Sequence, residues 1–173
     1  MIMNFFRKTL CVFVAVFFLL VPLSSAFAEQ QEEVWAPDLS LNALDGREVS
    51  LQQYRGKYVL LNFWATWCGP CKMEMPSLER LHQRFKSKNL EVVAVSNDMF
   101  GARVVVPYIK ANRLSFTILL DQKMRASSDY GVVSLPTTYL IDPQGRIIGA
   151  LYGAENWDEP STLKYFEELL ARS

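Results

Sequence analysis

Two cysteines lie three positions apart in the stretch FWATWCGPCKMEMP, residues 63–76, between a short apolar run and an amphipathic segment. The run YVLLNFW, residues 58–64, has the length and composition of a strand that is buried on both faces. The segment that follows repeats its buried-type positions at helical spacing, at Cys71, Glu74, Leu78, Leu81 and Phe85. The sequence therefore places both thiols where a buried strand ends and a helix begins.

A cysteine pair of this spacing could be a structural disulfide, part of a metal site or a redox couple. A structural disulfide across so short a loop gains little from chain entropy. A zinc site needs two further ligands, yet only Cys11, in the N-terminal apolar run, and His82 remain as soft candidates. The start of a helix stabilises an anion and lowers a thiol pKa. We therefore predict no metal and a redox couple, with Cys68 as an exposed nucleophile and Cys71 as the resolving thiol.

The first 28 residues have the features of a secretory signal peptide. Arg7 and Lys8 precede an apolar run over residues 10–23, and the small residues of SSAFA end at Ala28. A membrane-spanning helix needs about 20 apolar residues, which is more than this run supplies. We predict cleavage after Ala28 and one domain over residues 29–173. An uncleaved anchor through residues 10–23 is the alternative.

The charge balance and the cysteine count limit the possible partners. The chain carries 18 basic and 18 acidic residues, and removal of Arg7 and Lys8 leaves 16 against 18, a net charge of −2. A nucleic-acid-binding protein needs a basic excess, so we predict no such partner. Disulfides persist outside the cytoplasm, but two cysteines are too few for a disulfide-stapled fold.

The rest of the chain alternates strands with helices. After a flexible lead-in over residues 29–37, the turn signal Asp45-Gly46 predicts a hairpin within residues 39–51. Further strands are predicted over residues 90–96, 116–120, 137–141 and 146–152, and further helices over residues 101–112, 122–130 and 160–171. Asp158 is the predicted N-cap of the last helix. This order predicts an α/β sandwich.

The motif WCGPC at residues 67–71, with Pro76 after it and LPTTYLID at residues 135–142, resembles the thioredoxin superfamily. The resemblance covers nearly all of residues 29–173 and is closest to the exported TlpA/ResA branch of thiol-disulfide reductases. It implies an α/β, thioredoxin-like three-layer sandwich with an N-terminal β-hairpin extension and an inserted helix near residues 101–113. It also implies that no cofactor is needed beyond a redox-active disulfide between Cys68 and Cys71.

An acidic residue beside the cysteine pair supports the same branch. Thioredoxin has a buried aspartate six residues before its first cysteine, where this chain has Asn62. The exported branch carries its acid three residues after the resolving cysteine, where this chain has Glu74. Glu74 stands on the buried stripe of the helix, where loss of solvent raises the pKa of a carboxyl group. We predict that Glu74 exchanges a proton with Cys71, and a solvated glutamate is the alternative.

The resemblance implies a substrate-binding surface formed by Trp67, Gly69, Pro70, Leu135 and Pro136. Bonds before proline are mostly trans, so the residues alone predict a trans bond at Pro136. The resemblance implies a cis bond, which leaves the backbone of Leu135 free to pair with an extended substrate.

The sequence also places three other residues. Trp64 is equally consistent with a core position and with a position in the site. Trp157 should pack against the last helix. His82 stands beside the buried stripe and should lie on the surface.

The implied activity is the reduction of disulfides in exported proteins, for example during maturation of cytochrome c or of copper sites. Such a reductase needs oxidised client proteins with CxxC-type disulfides and a transmembrane thiol-disulfide electron donor. We expect a monomer in the periplasm or another extracytoplasmic compartment.

Two other functions remain as alternatives. The segment APDLSLNALDGREVSL also resembles peroxiredoxins, which would make the protein a thiol peroxidase, but Leu61 and Ala65 stand where those enzymes have a proline and a threonine. Cu(I) delivery would use the soft ligands Cys68, Cys71, Met73 and Met75. Methionines on a helix are more often core residues.

Overall fold

The computed structural model describes residues 33–171 of the 173-residue chain. The predicted signal peptide over residues 1–28 and the alternative anchor over residues 10–23 lie outside these residues. Among the helices of residues 33–171, none is long and apolar enough to cross a membrane.

A seven-stranded mixed sheet forms the centre of the domain. Its strands are β1 (Ser40–Ala43), β2 (Glu48–Ser50), β3 (Tyr58–Trp64), β4 (Leu90–Ser96), β5 (Thr117–Leu120), β6 (Thr137–Ile141) and β7 (Ile147–Tyr152). They are arranged in the order β2-β1-β5-β4-β3-β6-β7, and β3, β4 and β5 are parallel neighbours while the other pairs are antiparallel. The predicted hairpin is confirmed as β1 and β2, which extend the sheet beyond β5.

The described residues form four α-helices, three between strands and one after β7. They are α1 (Gly69–Phe85), α2 (Ala102–Asn112), α3 (Arg125–Asp129) and α4 (Pro160–Leu170), and a short 3-10 helix (Leu51–Tyr54) follows β2. The predicted inserted helix is confirmed as α2, which lies between β4 and β5 in the chain.

The alternating side chains of β3 divide the core between the two faces of the sheet. Leu60 and Trp64 pack in one cluster with residues of α1, α2 and α4, whereas Leu61 and Phe63 pack in another with the hairpin and α3. Burial of each such large apolar side chain stabilises the fold by about 1.5–3 kcal/mol. Because both faces are covered, the carboxyl end of β3 is held firmly where α1 begins.

Two local predictions are wrong. The lead-in is not flexible over its described part, because the backbone N–H of Ile147 donates to the carbonyl of Val34 at 2.7 Å and that of Ala36 donates to Gly145 at 3.0 Å. Between these two hydrogen bonds, Trp35 forms one isolated antiparallel bridge with Arg146, just before β7. The N-cap of α4 is Glu159 rather than Asp158, whose carboxylate instead forms an ion pair with Arg80 of α1.

Candidate active site

Cys68 is the N-cap residue of α1 and follows the end of β3 by four residues. Pro70 occupies the first turn of the helix, where its missing N–H has no intrahelical partner to lose. The backbone N–H of Cys71 donates to Sγ of Cys68 at 3.2 Å, so the sulfur occupies the usual place of a capping oxygen. The two sulfurs form a disulfide, with Cα atoms 5.3 Å apart.

Cys68 is less accessible than the sequence suggested, whereas Cys71 is buried as its position on the helix predicts. Cys68 is only 6% exposed and Cys71 is fully buried, so the expectation of an exposed nucleophile is wrong for this disulfide form. Cys68 instead lies at the wall of a groove of about 590 Å³. The groove is lined by Trp67, Cys68, Gly69, Pro70, Asn97, Met124, Val132, Val133, Ser134 and Leu135. The exposed side chains of Trp67 and Val133 stand at this groove.

The peptide bond between Leu135 and Pro136 is cis, as the resemblance implies and contrary to the expectation from base rates. Pro136 is buried and its carbonyl accepts a hydrogen bond from the N–H of Gly153 at 2.9 Å. Within residues 33–171, the backbone N–H and carbonyl of Leu135 take no part in the sheet or in any loop hydrogen bond. The structure thus brings four predicted binding residues, Trp67, Gly69, Pro70 and Leu135, to one groove with Pro136 behind them.

Glu74 lies under the disulfide, one turn of α1 beyond Cys71, and only 1% of it is exposed. Its Oε1 accepts a hydrogen bond from Nδ2 of Asn62 at 2.8 Å. Its Oε2 accepts two, from the backbone N–H of Glu155 at 3.2 Å and from Nε1 of Trp157 at 3.1 Å. Burial raises the pKa of Glu74, the three N–H donors oppose that rise, and the nearby charge of Glu155 adds to it. The predicted burial and the predicted direction of the pKa shift are confirmed.

Trp157 has a contact that the sequence did not reveal. It is 5% exposed and belongs to the same core cluster as Phe166 of α4, in line with the expected packing role. Its indole nevertheless points at Glu74, and its backbone N–H donates to Oγ of Ser77 at 3.1 Å. No short-range pattern links positions so far apart in the chain, so only the folded structure reveals this contact.

A second buried carboxylate holds the backbone just before the cysteine pair. Asp98 accepts hydrogen bonds from the backbone N–H of Thr66 at 2.9 Å, from its hydroxyl at 2.6 Å and from the hydroxyl of Ser96 at 2.8 Å. The strand register accounts for this contact. Trp64 and Ser96 are paired in parallel, and Thr66 and Asp98 each follow two residues later.

His82 is buried rather than on the surface, with 9% exposure, so that expectation is wrong. Its ring packs edge-on against Phe116 at a centroid distance of 6.0 Å, and its Nδ1 is buried without a hydrogen-bond partner in the described part of the chain. Burial lowers the pKa of His82, the nearby Glu79 opposes that effect, and Lys86 adds to it.

The described residues contain no group of three or more His, Cys, Asp or Glu side chains placed to hold a metal ion. The two methionines considered for Cu(I) diverge on α1, since Met73 is 74% exposed and Met75 is fully buried. The four soft side chains therefore do not surround one point. Trp64, also fully buried, belongs to the core.

Residues 34–150 match the model of the AhpC/TSA family. The chain is 46% identical over 119 residues to the thioredoxin-like protein YneN of Bacillus subtilis, covering 68% of this chain and 69% of that protein. It is 35% identical over 124 residues to the thiol-disulfide oxidoreductase ResA of Bacillus thuringiensis, covering 72% and 71%.

Solved structures share the fold of this chain. A thiol-disulfide oxidoreductase from Bacteroides fragilis superposes with a TM-score of 0.67 at 28% identity, over 78% of this chain and 98% of that one. StoA from Bacillus subtilis superposes with a TM-score of 0.62 at 27% identity, over 77% and 96%. The predicted thioredoxin-like fold is therefore confirmed.

Proposed function

Because the chain belongs to the AhpC/TSA family and is a thiol-disulfide oxidoreductase of the ResA type, we propose that it reduces disulfides of partner proteins outside the cytoplasm. The observation that carries this proposal is the Cys68–Cys71 disulfide at the start of α1, one helical turn before the buried Glu74. A dithiol with its own proton acceptor is suited to passing two electrons to another disulfide.

The groove beside Cys68 binds the partner. An extended client segment pairs with the unengaged backbone of Leu135 and lies against Trp67, Gly69 and Pro70. Pro136 is buried beside Leu135 and supports this surface from behind. Backbone pairing is indifferent to side chains, so this mode accepts clients of different sequence.

In the first step, the reduced enzyme attacks through the thiolate of Cys68. The N–H groups at the start of α1 stabilise that anion and thereby increase its population at neutral pH. Sγ of Cys68 bonds to one client sulfur, the client disulfide breaks, and the other client sulfur leaves as a thiolate that takes a proton from water. The product is a mixed disulfide.

In the second step, Cys71 resolves the mixed disulfide. Glu74 accepts the thiol proton of Cys71, and the resulting thiolate attacks Sγ of Cys68. The Cys68–Cys71 disulfide forms, the bond to the client breaks, and the second client sulfur leaves as a thiolate that takes a proton from water, while Glu74 returns its proton to water. Two electrons have then passed from the enzyme to the client, and no cofactor is required.

The enzyme must then be reduced again. Its electrons come from a transmembrane thiol-disulfide donor, because a compartment that favours disulfides does not supply them. Its clients are oxidised proteins with CxxC-type disulfides, such as those used in cytochrome c or copper-site maturation. We place the enzyme, as a monomer, in the periplasm or another extracytoplasmic compartment, exported through residues 1–28.

Peroxide reduction is supported less well. Ala65 offers no hydroxyl three residues before Cys68, and the neighbouring hydroxyl of Thr66 already donates to Asp98. Cu(I) delivery is disfavoured because Met73 and Met75 face different environments on α1. The described site thus offers neither a free hydroxyl to orient a peroxide nor a converging set of sulfur ligands for Cu(I).

A trapping experiment tests the proposal. The Cys71→Ala variant keeps the nucleophile but cannot resolve the mixed disulfide, so it should accumulate exported CxxC proteins bound to Cys68. The double variant Cys68→Ala with Cys71→Ala is the matched control and should trap none. If the single variant captures no more exported protein than the control does, the reductase proposal is wrong.

A further inference from the structure

The two oxygens of Glu74 have unequal surroundings. Oε2 accepts two N–H donors, from Glu155 and Trp157, while Oε1 accepts only one, from Asn62. A carboxylate oxygen has room for about two hydrogen bonds. A proton arriving on Oε2 would displace a backbone or indole donor, whereas a proton on Oε1 would find an open position.

Asn62 has one unused group at the same place. Its Nδ2 donates both to Oε1 of Glu74 and to Oγ1 of Thr138, at 2.8 and 2.9 Å, so both amide hydrogens are engaged. Its Oδ1 is buried and has no hydrogen-bond partner within residues 33–171. A buried acceptor without a donor is costly and uncommon in native proteins.

We propose that Asn62 is a positioning residue that serves Glu74 in both protonation states, and that the proton exchanged with Cys71 resides on Oε1. This inference rests on the proposed role of Glu74 in thiol-disulfide exchange. With Glu74 ionised, Asn62 donates through Nδ2. When Oε1 becomes protonated, the amide turns over about its Cβ–Cγ bond, and Oδ1 accepts from the new O–H.

The turned amide fits the same space. Oδ1 and Nδ2 are similar in size, so the rotation exchanges them without a change in packing. The hydroxyl of Thr138 can rotate to become a donor, because a hydroxyl group both donates and accepts. The turned Nδ2 then takes the position that Oδ1 leaves, where no acceptor is described. One amide group therefore lacks a partner in either state, Oδ1 in the ionised form and Nδ2 in the protonated form, so Asn62 does not strongly favour one form over the other.

No charged side chain of the described residues pairs with Glu74, so the neutral Asn62 is the side chain that accommodates both of its protonation states. β3 contributes Asn62 and β6 contributes Thr138, both neutral, while the loop after β7 contributes the acidic Glu155. On α1, Cys71 is the group that exchanges the proton. No ion pair of the described residues includes Glu74, so no cation fixes it in the ionised form.

The decisive comparison is between Asn62→Leu and Trp157→Phe, each measured on the oxidised protein, in which no thiol of the pair titrates. The pKa of Glu74 is followed by the carbon chemical shift of its carboxyl group. Trp157 serves only the ionised form, so Trp157→Phe should raise that pKa. Asn62 donates to the ionised form and accepts from the protonated form, so Asn62→Leu should change the pKa of Glu74 less than Trp157→Phe does. An increase with Asn62→Leu at least as large as that with Trp157→Phe would overturn the proposal.

A measurement on the unmodified protein covers the case in which a variant does not fold. As Glu74 becomes protonated, the two Nδ2 hydrogens of Asn62 should lose their acceptors and exchange faster with water. Unchanged exchange across the titration of Glu74 would overturn the proposal. If Glu74→Gln leaves the pH dependence of catalysis unaltered, the proposed function of Glu74 fails instead, so the two failures are distinguishable.

Discussion

Nε1 of Trp157 donates a 3.1 Å hydrogen bond to Oε2 of Glu74 across 83 positions of sequence. The contact joins the loop after β7 to α1, at the residue one helical turn beyond Cys71. It gives a buried carboxyl group a neutral donor instead of a cation. A neutral donor lets Glu74 both gain and lose a proton, which the proposed acid-base role requires.

Replacement of Glu74 by glutamine should slow disulfide exchange at neutral pH by about 10²-fold, the lower end of typical acid-base contributions. The wild-type rate should rise with pH as Glu74 ionises. In the variant the rise should move towards the pKa of an ordinary thiol, about 8.5. The pH profile of client reduction checks both points, with the exposed Glu168→Gln as a matched control on α4. Superimposable profiles for the wild type and Glu74→Gln would contradict the assignment.

The Thr66–Asp98 contact should hold the start of the cysteine motif. Thr66→Val removes a hydroxyl that donates to a buried carboxylate at 2.6 Å, which should cost about 2 kcal/mol in the free energy of unfolding. Thr66→Ser keeps the hydroxyl and should cost much less. Urea unfolding of the oxidised proteins measures the difference. Equal losses in the two variants would show that the hydroxyl of Thr66 does not stabilise the fold.

His82 should make the fold less stable in acid. Because burial lowers its pKa in the folded state, the unfolded chain binds the proton first as pH falls below about 6.5. The free energy of unfolding should therefore decrease from that pH downward, until the folded protein also takes up the proton. His82→Leu removes this proton uptake together with the unpaired Nδ1 atom. The free energy of unfolding of the variant, relative to that of the wild type, should therefore increase as the pH falls from 7 to 5. A difference that is constant with pH would contradict this prediction.

Local patterns predicted most of the fold. The continuous apolar run over residues 58–64 predicts a strand that is buried on both faces, as observed for β3. The helical spacing of the positions from Cys71 to Phe85 predicts the buried face of α1. The same stripe correctly predicted that Glu74 is buried. These features depend on neighbouring residues, which is why one sequence is enough to find them.

The predictions that were wrong, and the contacts that the sequence did not reveal, involve segments far apart in the chain. His82 stands beside the stripe, but the segment at Phe116 covers it, and no periodicity reports that cover. The partners Asn62 and Trp157 of Glu74 come from β3 and from the loop after β7, and only the closed sheet brings them together. The reduced exposure of Cys68 likewise depends on residues 132–135, which form the opposite wall of the groove.

The measurement that tests the central claim most directly is the reduction potential of the Cys68–Cys71 couple, equilibrated against thiol buffers at pH 7. A protein that reduces client disulfides should have a potential near that of thioredoxin, about −270 mV. A potential near that of a strong oxidant, about −120 mV, would mean that the protein donates disulfides to its partners, and the proposed direction of electron flow would be wrong.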